Sequence, residues 1–222
     1  MCGRFAFYSP SEATAALFGV SASTEVVPRY NIAPTQFIAA IRRDEENAPE
    51  LTMLRWGLVP FWAKDPSIGN RMINARSETV AEKPSFRNAY KKRRCLILAD
   101  GFYEWRKEGD GKTPYFISQE DGSPFAFAGL WEHWASKETD ETLETTAIIT
   151  AAANDYMSRI HLRMPIVVRP ELANRWLEGD PDLLSEAIEN APEFCAWPVQ
   201  RTVNNARNEG AELIERAGDL IA

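Results

Sequence analysis

The chain has 222 residues, of which 45% are hydrophobic, and this is enough to bury a core, so we expect a single domain over residues 1–222. Its formal net charge of −7 argues against a protein that coats nucleic acid non-specifically. No run approaches the roughly 18 apolar residues of a membrane span, and Arg4 interrupts the chain start before any apolar stretch of a signal peptide. We therefore expect a cytoplasmic protein without membrane contact.

The cysteines indicate neither a disulfide framework nor a metal site. There are three, Cys2, Cys95 and Cys195, an odd number without the spacing of metal ligands. We expect no metal and no cofactor.

The charge is unevenly distributed along the chain. Residues 71–94 contain eight basic and two acidic residues, a net charge of +6, which leaves −13 for the remainder. A basic stretch in an acidic protein indicates a local anion site, and Arg71 and Arg76 are the better candidates for phosphate contacts. The run KKRR at residues 91–94 is at least as well explained as the solvated end of a helix, where cations complement the helix dipole.

The first half of the chain reads mainly as strands. Residues 11–20 predict a short helix with Ser11 as its N-cap. Residues 30–43 predict an irregular segment that leads into a strand, and residues 51–62 a strand that ends in an aromatic loop. Residues 95–100 predict a buried strand that reaches a turn.

The second half begins with strands and ends with helices. Residues 104–118 predict a β-hairpin whose turn is GDGK, and residues 125–134 and 143–150 predict two more strands. Residues 169–179 predict a helix that has Pro170 in its first turn and Gly179 just past its end, and residues 182–190 predict another. This order favours an α+β fold, with a mainly antiparallel sheet or barrel and short peripheral helices.

The opening MCGRF places a cysteine directly after the start methionine. Removal of Met1 would give Cys2 both an α-amine and a thiol. An α-amine has a pKa of about 7.7–8.0, so part of it is free base at neutral pH and can attack an aldehyde. The thiol can then close a five-membered thiazolidine ring on the imine carbon, aided by its high effective concentration. The same residue is equally suited to attacking an amide, and the terminus alone leaves both reactions open.

Three further polar residues are candidates for moving protons or holding a substrate. His161 lies in the polar segment IHLRMP, although a lone histidine is usually structural. Glu104 lies in DGFYEW, where the pattern by itself predicts a solvent-facing strand carboxylate. Asn74, in INARSE, either fixes a substrate oxygen or caps a turn. The residues alone do not choose between these roles.

Several blocks, taken together and in order, resemble the SRAP family of abasic-site-processing proteins. The blocks are MCGRF, YNIAPT, WGLVPFWA, INARSET, CLILADGFYEW, TAAAND and IHLRMP, and NEGAELI near the C-terminus is similar as well. An MCG terminus alone would be a weak signal because N-terminal-nucleophile amidotransferases share it. Independent motifs in the right order, from Cys2 to about residue 165, make the resemblance specific.

The resemblance implies a fold, an activity and roles for individual residues. It implies the SRAP fold, removal of Met1 by self-cleavage, and a thiazolidine cross-link between Cys2 and the ring-opened aldehyde of an abasic site in single-stranded DNA. AP-lyase activity is implied as well. Asn74 would orient the Cys2 amine or the sugar, Glu104 would act as acid and base on the deoxyribose, and His161 would move a proton at the opened sugar.

DNA contacts follow in part from the resemblance and in part from the residues themselves. The matching blocks place Arg4 and Arg76 near the DNA backbone and Trp105 near the nucleotides. Trp62 is a candidate for stacking on bases, since it lies in the aromatic loop. We expect a monomer that associates with the nucleoid when it is bound to damaged DNA.

Two other functions are compatible with parts of the sequence. An N-terminal-nucleophile cysteine amidohydrolase would use the Cys2 thiol on an amide, with its own α-amine as base. A non-catalytic reader of single-stranded DNA would use the arginines and tryptophans without forming a bond. The dispersed motifs of the SRAP family count against the first.

Overall fold

The protein is described by a computed structural model, which covers residues 2–21 and 26–221. Its strands are β1 (Phe5–Phe7), β2 (Arg29–Ile32), β3 (Phe37–Arg43), β4 (Pro49–Trp56), β5 (Asn74–Arg76), β6 (Arg94–Ala99), β7 (Gly101–Glu108), β8 (Gly111–Gln119), β9 (Phe125–Ala135), β10 (Thr142–Ala152), β11 (Arg163–Pro165), β12 (Val167–Val168) and β13 (Phe194–Pro198). Its α-helices are α1 (Ser11–Leu17), α2 (Arg87–Lys92), α3 (Asp155–Ser158), α4 (Ala173–Glu178) and α5 (Leu183–Glu189). Short 3₁₀ helices cover Pro66–Arg71, Pro170–Leu172, Arg201–Asn204 and Ala211–Ile214.

Five strands close into a barrel. β4 pairs with β3, β3 with β6, β6 with β9, β9 with β10, and β10 returns to β4. The β10–β4 pairing is parallel and the other four are antiparallel. Closure removes the free strand edges that an open sheet would expose.

A second sheet of five strands packs against the barrel. Its order is β13-β8-β7-β1-β2, with antiparallel neighbours throughout. The ring of Phe5 on β1 lies 5.2 Å from that of Trp56 on β4 and 5.7 Å from that of Phe127 on β9, both edge to face. Because aromatic pairs in this geometry are favourable, these contacts hold the first strand against the barrel wall.

The predicted α+β class with mainly antiparallel strands is confirmed. The hairpin is confirmed too: Glu108 on β7 pairs with Gly111 on β8, and Gly109 in the turn has a φ of 56°. A glycine adopts this left-handed conformation without steric cost. The strand predicted over residues 51–62 ends at Trp56, and the aromatic loop follows it.

The predicted helices are present with shifted ends. Residues 169–179 begin as the 3₁₀ turn Pro170–Leu172, continue as α4, and end at Gly179, whose φ of 87° closes the helix. The N-cap prediction for Ser11 is wrong, because Pro10 occupies that position. Ser11 is the first helical residue, and its Oγ accepts a hydrogen bond from the backbone N–H of Val26 at 3.0 Å.

The residues of the basic run 91–94 differ in their exposure to solvent. Lys91 and Lys92 form the exposed last turn of α2, as expected. Arg94 is not solvated: it is 5% exposed, and its guanidinium lies 4.4 Å from the ring centroids of both Tyr90 and Trp176. Arg94 donates hydrogen bonds to the backbone carbonyls of Tyr90 in α2 and of Asp180 just after α4. Its role is therefore to fix these two helices on the barrel.

Candidate active site at the N-terminal cysteine

The pairing of β1 with β7 determines where the start of the chain lies. Phe5 is opposite Phe102, and the N–H of Tyr103 donates to the carbonyl of Arg4 at 2.9 Å. Because the strands are antiparallel, the residues before β1 run alongside the next residues of β7. Continued past the last pair, this register places Gly3 opposite Glu104, so Cys2 lies beside the same part of β7, where the Glu104 charge acts on its thiol.

The Cys2 thiol is completely buried. Burial raises its pKa, and the nearby Glu104 carboxylate raises that pKa further. The thiol is therefore protonated at neutral pH, so it is not a preformed thiolate nucleophile.

Asn74 holds the main chain of Cys2. Its Nδ2 donates to the Cys2 carbonyl oxygen at 2.8 Å, and within the described residues its buried Oδ1 has no hydrogen-bond donor. Asn74 begins β5, which pairs with β10 opposite Ile148. The indole of Trp56 donates to the carbonyl of Ile73 at 2.9 Å, which fixes the residue just before Asn74. Trp56 thus contacts both Phe5 and the segment that leads to Asn74.

Glu104 lies on β7 and is 3% exposed. The expectation of a solvent-facing carboxylate is therefore wrong; the reason is that the barrel covers this face of the second sheet. Burial raises the pKa of Glu104, and His161 opposes this effect. A carboxyl group with a raised pKa is suited to accept and return a proton near neutral pH.

His161 lies between α3 and β11, half-buried. Its backbone N–H donates to the carbonyl of Met157 at 2.9 Å. The N–H of Arg163 lies 3.0 Å from the ring Nδ1, with the Arg163 carbonyl at 3.1 Å. In one neutral tautomer Nδ1 accepts from the Arg163 N–H, and in the other it donates to the Arg163 carbonyl, so the Arg163 main chain holds this edge of the ring in both. The structure thus brings the four predicted catalytic residues to one place from four distant parts of the chain.

The candidate DNA-binding residues fall into two groups. Arg71, Arg76 and Trp62 are exposed: Arg71 ends a 3₁₀ helix, Arg76 ends β5 two residues after Asn74, and Trp62 is 44% exposed. Phe61 beside Trp62 is 53% exposed. These side chains are therefore accessible to a ligand in solution.

Arg4 and Trp105 are instead part of an internal network. Arg4 Nη1 donates to Asn31 Oδ1 at 2.6 Å and to the carbonyl of Val203 at 2.8 Å, and its guanidinium lies 5.9 Å from the Trp105 ring. The Trp105 indole donates to Asn204 at 2.8 Å. A phosphate contact by Arg4 would have to use a different edge of the guanidinium.

The sequence reasoning overlooked residues that support the site. Asn31 is fully buried and donates to the carbonyls of Asn205 and Asn208, which ties the C-terminal segment to β2. Trp56 fixes the approach to Asn74, as described above. Both residues lie within or beside quoted motifs, YNIAPT and WGLVPFWA, but no pattern in the residues identifies their partners.

Within residues 2–21 and 26–221, no group of three or more His, Cys, Asp or Glu side chains lies close enough together to hold a metal ion. No helix in the same part of the chain is both long and apolar enough to cross a membrane.

The fold and the site together describe an α+β protein in which Asn74, Glu104 and His161 lie around Cys2. A family model described as "SOS response associated peptidase (SRAP)" matches residues 1–206, and the chain belongs to this family.

Named relatives are similar over nearly the whole chain. The abasic site processing protein YoqW of Bacillus subtilis is 42% identical, covering 97% of this chain and 99% of its own length. YedK of Escherichia coli, also named an abasic site processing protein, is 35% identical with the same coverage. Among solved structures, a protein of Bacteroides thetaiotaomicron matches with a TM-score of 0.86 at 26% identity, covering 97% of this chain and all of its own.

Proposed function

We propose that this protein processes abasic sites in single-stranded DNA by forming a covalent thiazolidine between Cys2 and the ring-opened sugar aldehyde. The names of its relatives support the substrate class. The observation that carries the mechanism is the placement of Cys2, whose carbonyl is held by Asn74 at 2.8 Å while its thiol lies beside the buried Glu104. Met1 must leave first, by hydrolysis of the Met1–Cys2 bond with one water; Met1 itself lies outside the described residues.

The capture reaction then proceeds in two balanced steps. The Cys2 amine adds to the aldehyde carbon, and loss of one water gives an imine. The thiol sulfur adds to the imine carbon and the thiol proton passes to the nitrogen, which closes the ring. The net change is aldehyde plus aminothiol to thiazolidine plus water, without an oxidant or a metal.

In this proposal, one side chain positions Cys2 and two side chains transfer protons. Asn74 fixes the Cys2 main chain, and its Oδ1, which has no donor among the described residues, is an acceptor for an N–H of the freed amine. Glu104, whose pKa is raised by burial, shuttles protons between the amine, the departing water and the thiol. His161 moves a proton at the opened sugar through its ring, whose Nδ1 edge is held by Arg163. Reversal of the link and AP-lyase cleavage would use the same groups.

The named relatives favour this mechanism over an amidohydrolase. An N-terminal-nucleophile amidohydrolase would deprotonate the Cys2 thiol with its own freed α-amine, so the raised pKa of the thiol is compatible with both reactions. The relatives named abasic site processing proteins support an abasic-site aldehyde as the substrate.

Four exposed residues support binding to a single strand. Trp62 and Phe61 offer aromatic faces on which unpaired bases can stack, and Arg71 and Arg76 offer charge for phosphates. Because a few arginines suffice when capture is covalent, the net charge of −7 is compatible with a lesion-specific protein. The monomeric state and the cytoplasmic location stay predictions.

A uracil-containing oligonucleotide treated with uracil glycosylase tests the proposal on a denaturing gel. We expect a heat-stable shifted band that is absent for the untreated strand. Cys2→Ser retains an amine but has a poorer ring-closing nucleophile, so it should give an imine that borohydride traps and heat destroys. A variant with one alanine inserted between Met1 and Cys2 separates amine from thiol and should also give no stable band.

The alternatives give different results in the same experiment. A heat-stable adduct at the wild-type rate from either variant would refute the aminothiol mechanism. A non-catalytic reader would bind intact and abasic strands alike without a covalent band. An amidohydrolase would release ammonia from glutamine and ignore the abasic strand.

A further inference from the structure

A charged pair lies directly behind His161. Arg163 opens β11, and its two terminal nitrogens donate to the two carboxylate oxygens of Glu78; the Nη2–Oε2 distance is 3.0 Å. This forked geometry is the strongest form of an arginine–carboxylate contact. The hydrogen bonds from Arg163 lower the pKa of Glu78 to about 2, so the pair is ionised throughout the neutral range.

The Glu78–Arg163 pair is anchored to the sheet that contains β5 and Asn74. Arg163 Nη2 also donates to the carbonyl of Thr150 on β10 at 2.7 Å. Thr150 lies opposite Arg76 of β5 and opposite Pro165 of β11. Glu78 lies in the turn after β5, so the guanidinium connects three strands that meet at this edge.

The backbone of Arg163 is what contacts the histidine. Its N–H lies 3.0 Å from His161 Nδ1, and movement of this residue would change both the orientation and the tautomer of the ring. The side chain of Arg163 is held by Glu78 and Thr150, so its backbone is held as well.

We propose that Glu78 and Arg163 form a positioning pair that fixes the orientation and the tautomer of the His161 ring through the contact of Nδ1 with the Arg163 main chain. This inference rests on the proposed function, in which His161 moves a proton at the opened sugar. Neither Glu78 nor Arg163 needs to touch the reacting atoms.

The alternative role of Glu78 is purely electrostatic, and it predicts the opposite sign. A surface carboxylate near a DNA site repels phosphates and neutralises Arg163. Its removal would then strengthen binding and speed capture. A positioning role predicts slower capture although one negative charge has been removed.

The first test compares Glu78→Gln with Glu82→Gln, a matched control that removes the same charge. Glu82 is exposed and belongs to the same segment. Binding is measured by fluorescence anisotropy with an intact single strand, and capture by single-turnover cross-linking at saturating protein. For Glu78→Gln we expect unweakened binding and capture roughly ten- to a hundredfold slower, the effect of a small misplacement of a catalytic group. Glu82→Gln should capture at the wild-type rate.

Two results would overturn the positioning role. One is capture by Glu78→Gln at or above the wild-type rate, and the other is an equal loss in Glu82→Gln. Absence of a covalent band with the wild-type protein would instead refute the proposed function.

The second test reads the ring directly and needs no DNA. The chain has two histidines, so ¹⁵N spectra of labelled protein resolve both rings, with the exposed His133 as internal reference. At a pH where the rings are neutral, His161 should show a single tautomer, with one protonated and one unprotonated ring nitrogen. Glu78→Gln and Arg163→Lys, which loses the forked contact, should both shift His161 toward the averaged pattern of free imidazole and leave His133 unchanged. An unchanged His161 pattern in both variants would overturn the positioning role.

Discussion

Replacement of Glu104 by glutamine should slow the protein and stabilise it at the same time. The substitution keeps the size of the side chain and removes its ability to exchange a proton. Loss of a general acid–base group costs roughly 10²- to 10⁴-fold in rate. Glu104 is 3% exposed on β7, so solvent cannot readily replace it. We therefore expect cross-linking to slow by about this factor while binding to an intact strand is retained.

The stability effect follows from the direction of the Glu104 pKa. Burial raises this pKa above its unfolded value, so the ionised form destabilises the folded state. This destabilisation is absent below the unfolded glutamate pKa of about 4.3. It grows as the pH rises from that value to the folded pKa and is complete above it. Each tenfold change in the acid constant corresponds to about 1.4 kcal/mol. Glu104→Gln should thus match the wild type in acid and exceed it in free energy of unfolding at neutral pH.

The measurements are a cross-linking time course on denaturing gels and urea unfolding across a pH series. Both proteins should be released from a cleavable extension so that Cys2 is the first residue, since the variant could otherwise retain Met1. Glu132→Gln is the control. Glu132 lies on β9 and is as buried as Glu104, but it accepts a hydrogen bond from Arg93 at 2.7 Å. This variant should keep its cross-linking rate, which separates removal of a buried carboxylate from loss of the proton-transfer group. An unchanged rate for Glu104→Gln, or a lower stability at neutral pH, would refute the reasoning.

Two further predictions concern Arg76 at the end of β5 and the support of Cys2. Arg76→Ala should slow cross-linking and reduce the slope of its salt dependence by about one, whereas Lys92→Ala should change neither; equal losses would indicate a diffuse electrostatic surface. Asn74→Ala leaves the Cys2 carbonyl without its 2.8 Å donor, which costs about 0.5–1.5 kcal/mol, so capture should slow roughly two- to tenfold in a single-turnover assay. A wild-type rate would show that Asn74 does not orient Cys2.

Local chemistry explains why much of the fold could be predicted from the sequence. The GDGK turn, the glycine at residue 179 and the apolar runs of the strands act over a few residues, and the structure has the hairpin and the helix C-terminus where they were expected. The ordered motifs also identified the family. They contain the four residues that lie close together in the structure, namely Cys2, Asn74, Glu104 and His161. Helix starts were less predictable, since Pro10 rather than Ser11 occupies the N-cap of α1.

The tertiary structure decided which side chains are buried and which residues meet. The sequence predicts an exposed strand position for Glu104, but the barrel covers that face of the sheet and buries the side chain. It predicts a solvated helix end for Arg94, but Tyr90 and Trp176 enclose the guanidinium. The Asn74–Cys2 contact spans 72 positions and the Glu78–Arg163 pair spans 85. Such pairs depend on strand order and closure, which bring distant segments together, and no short-range pattern in the chain records them.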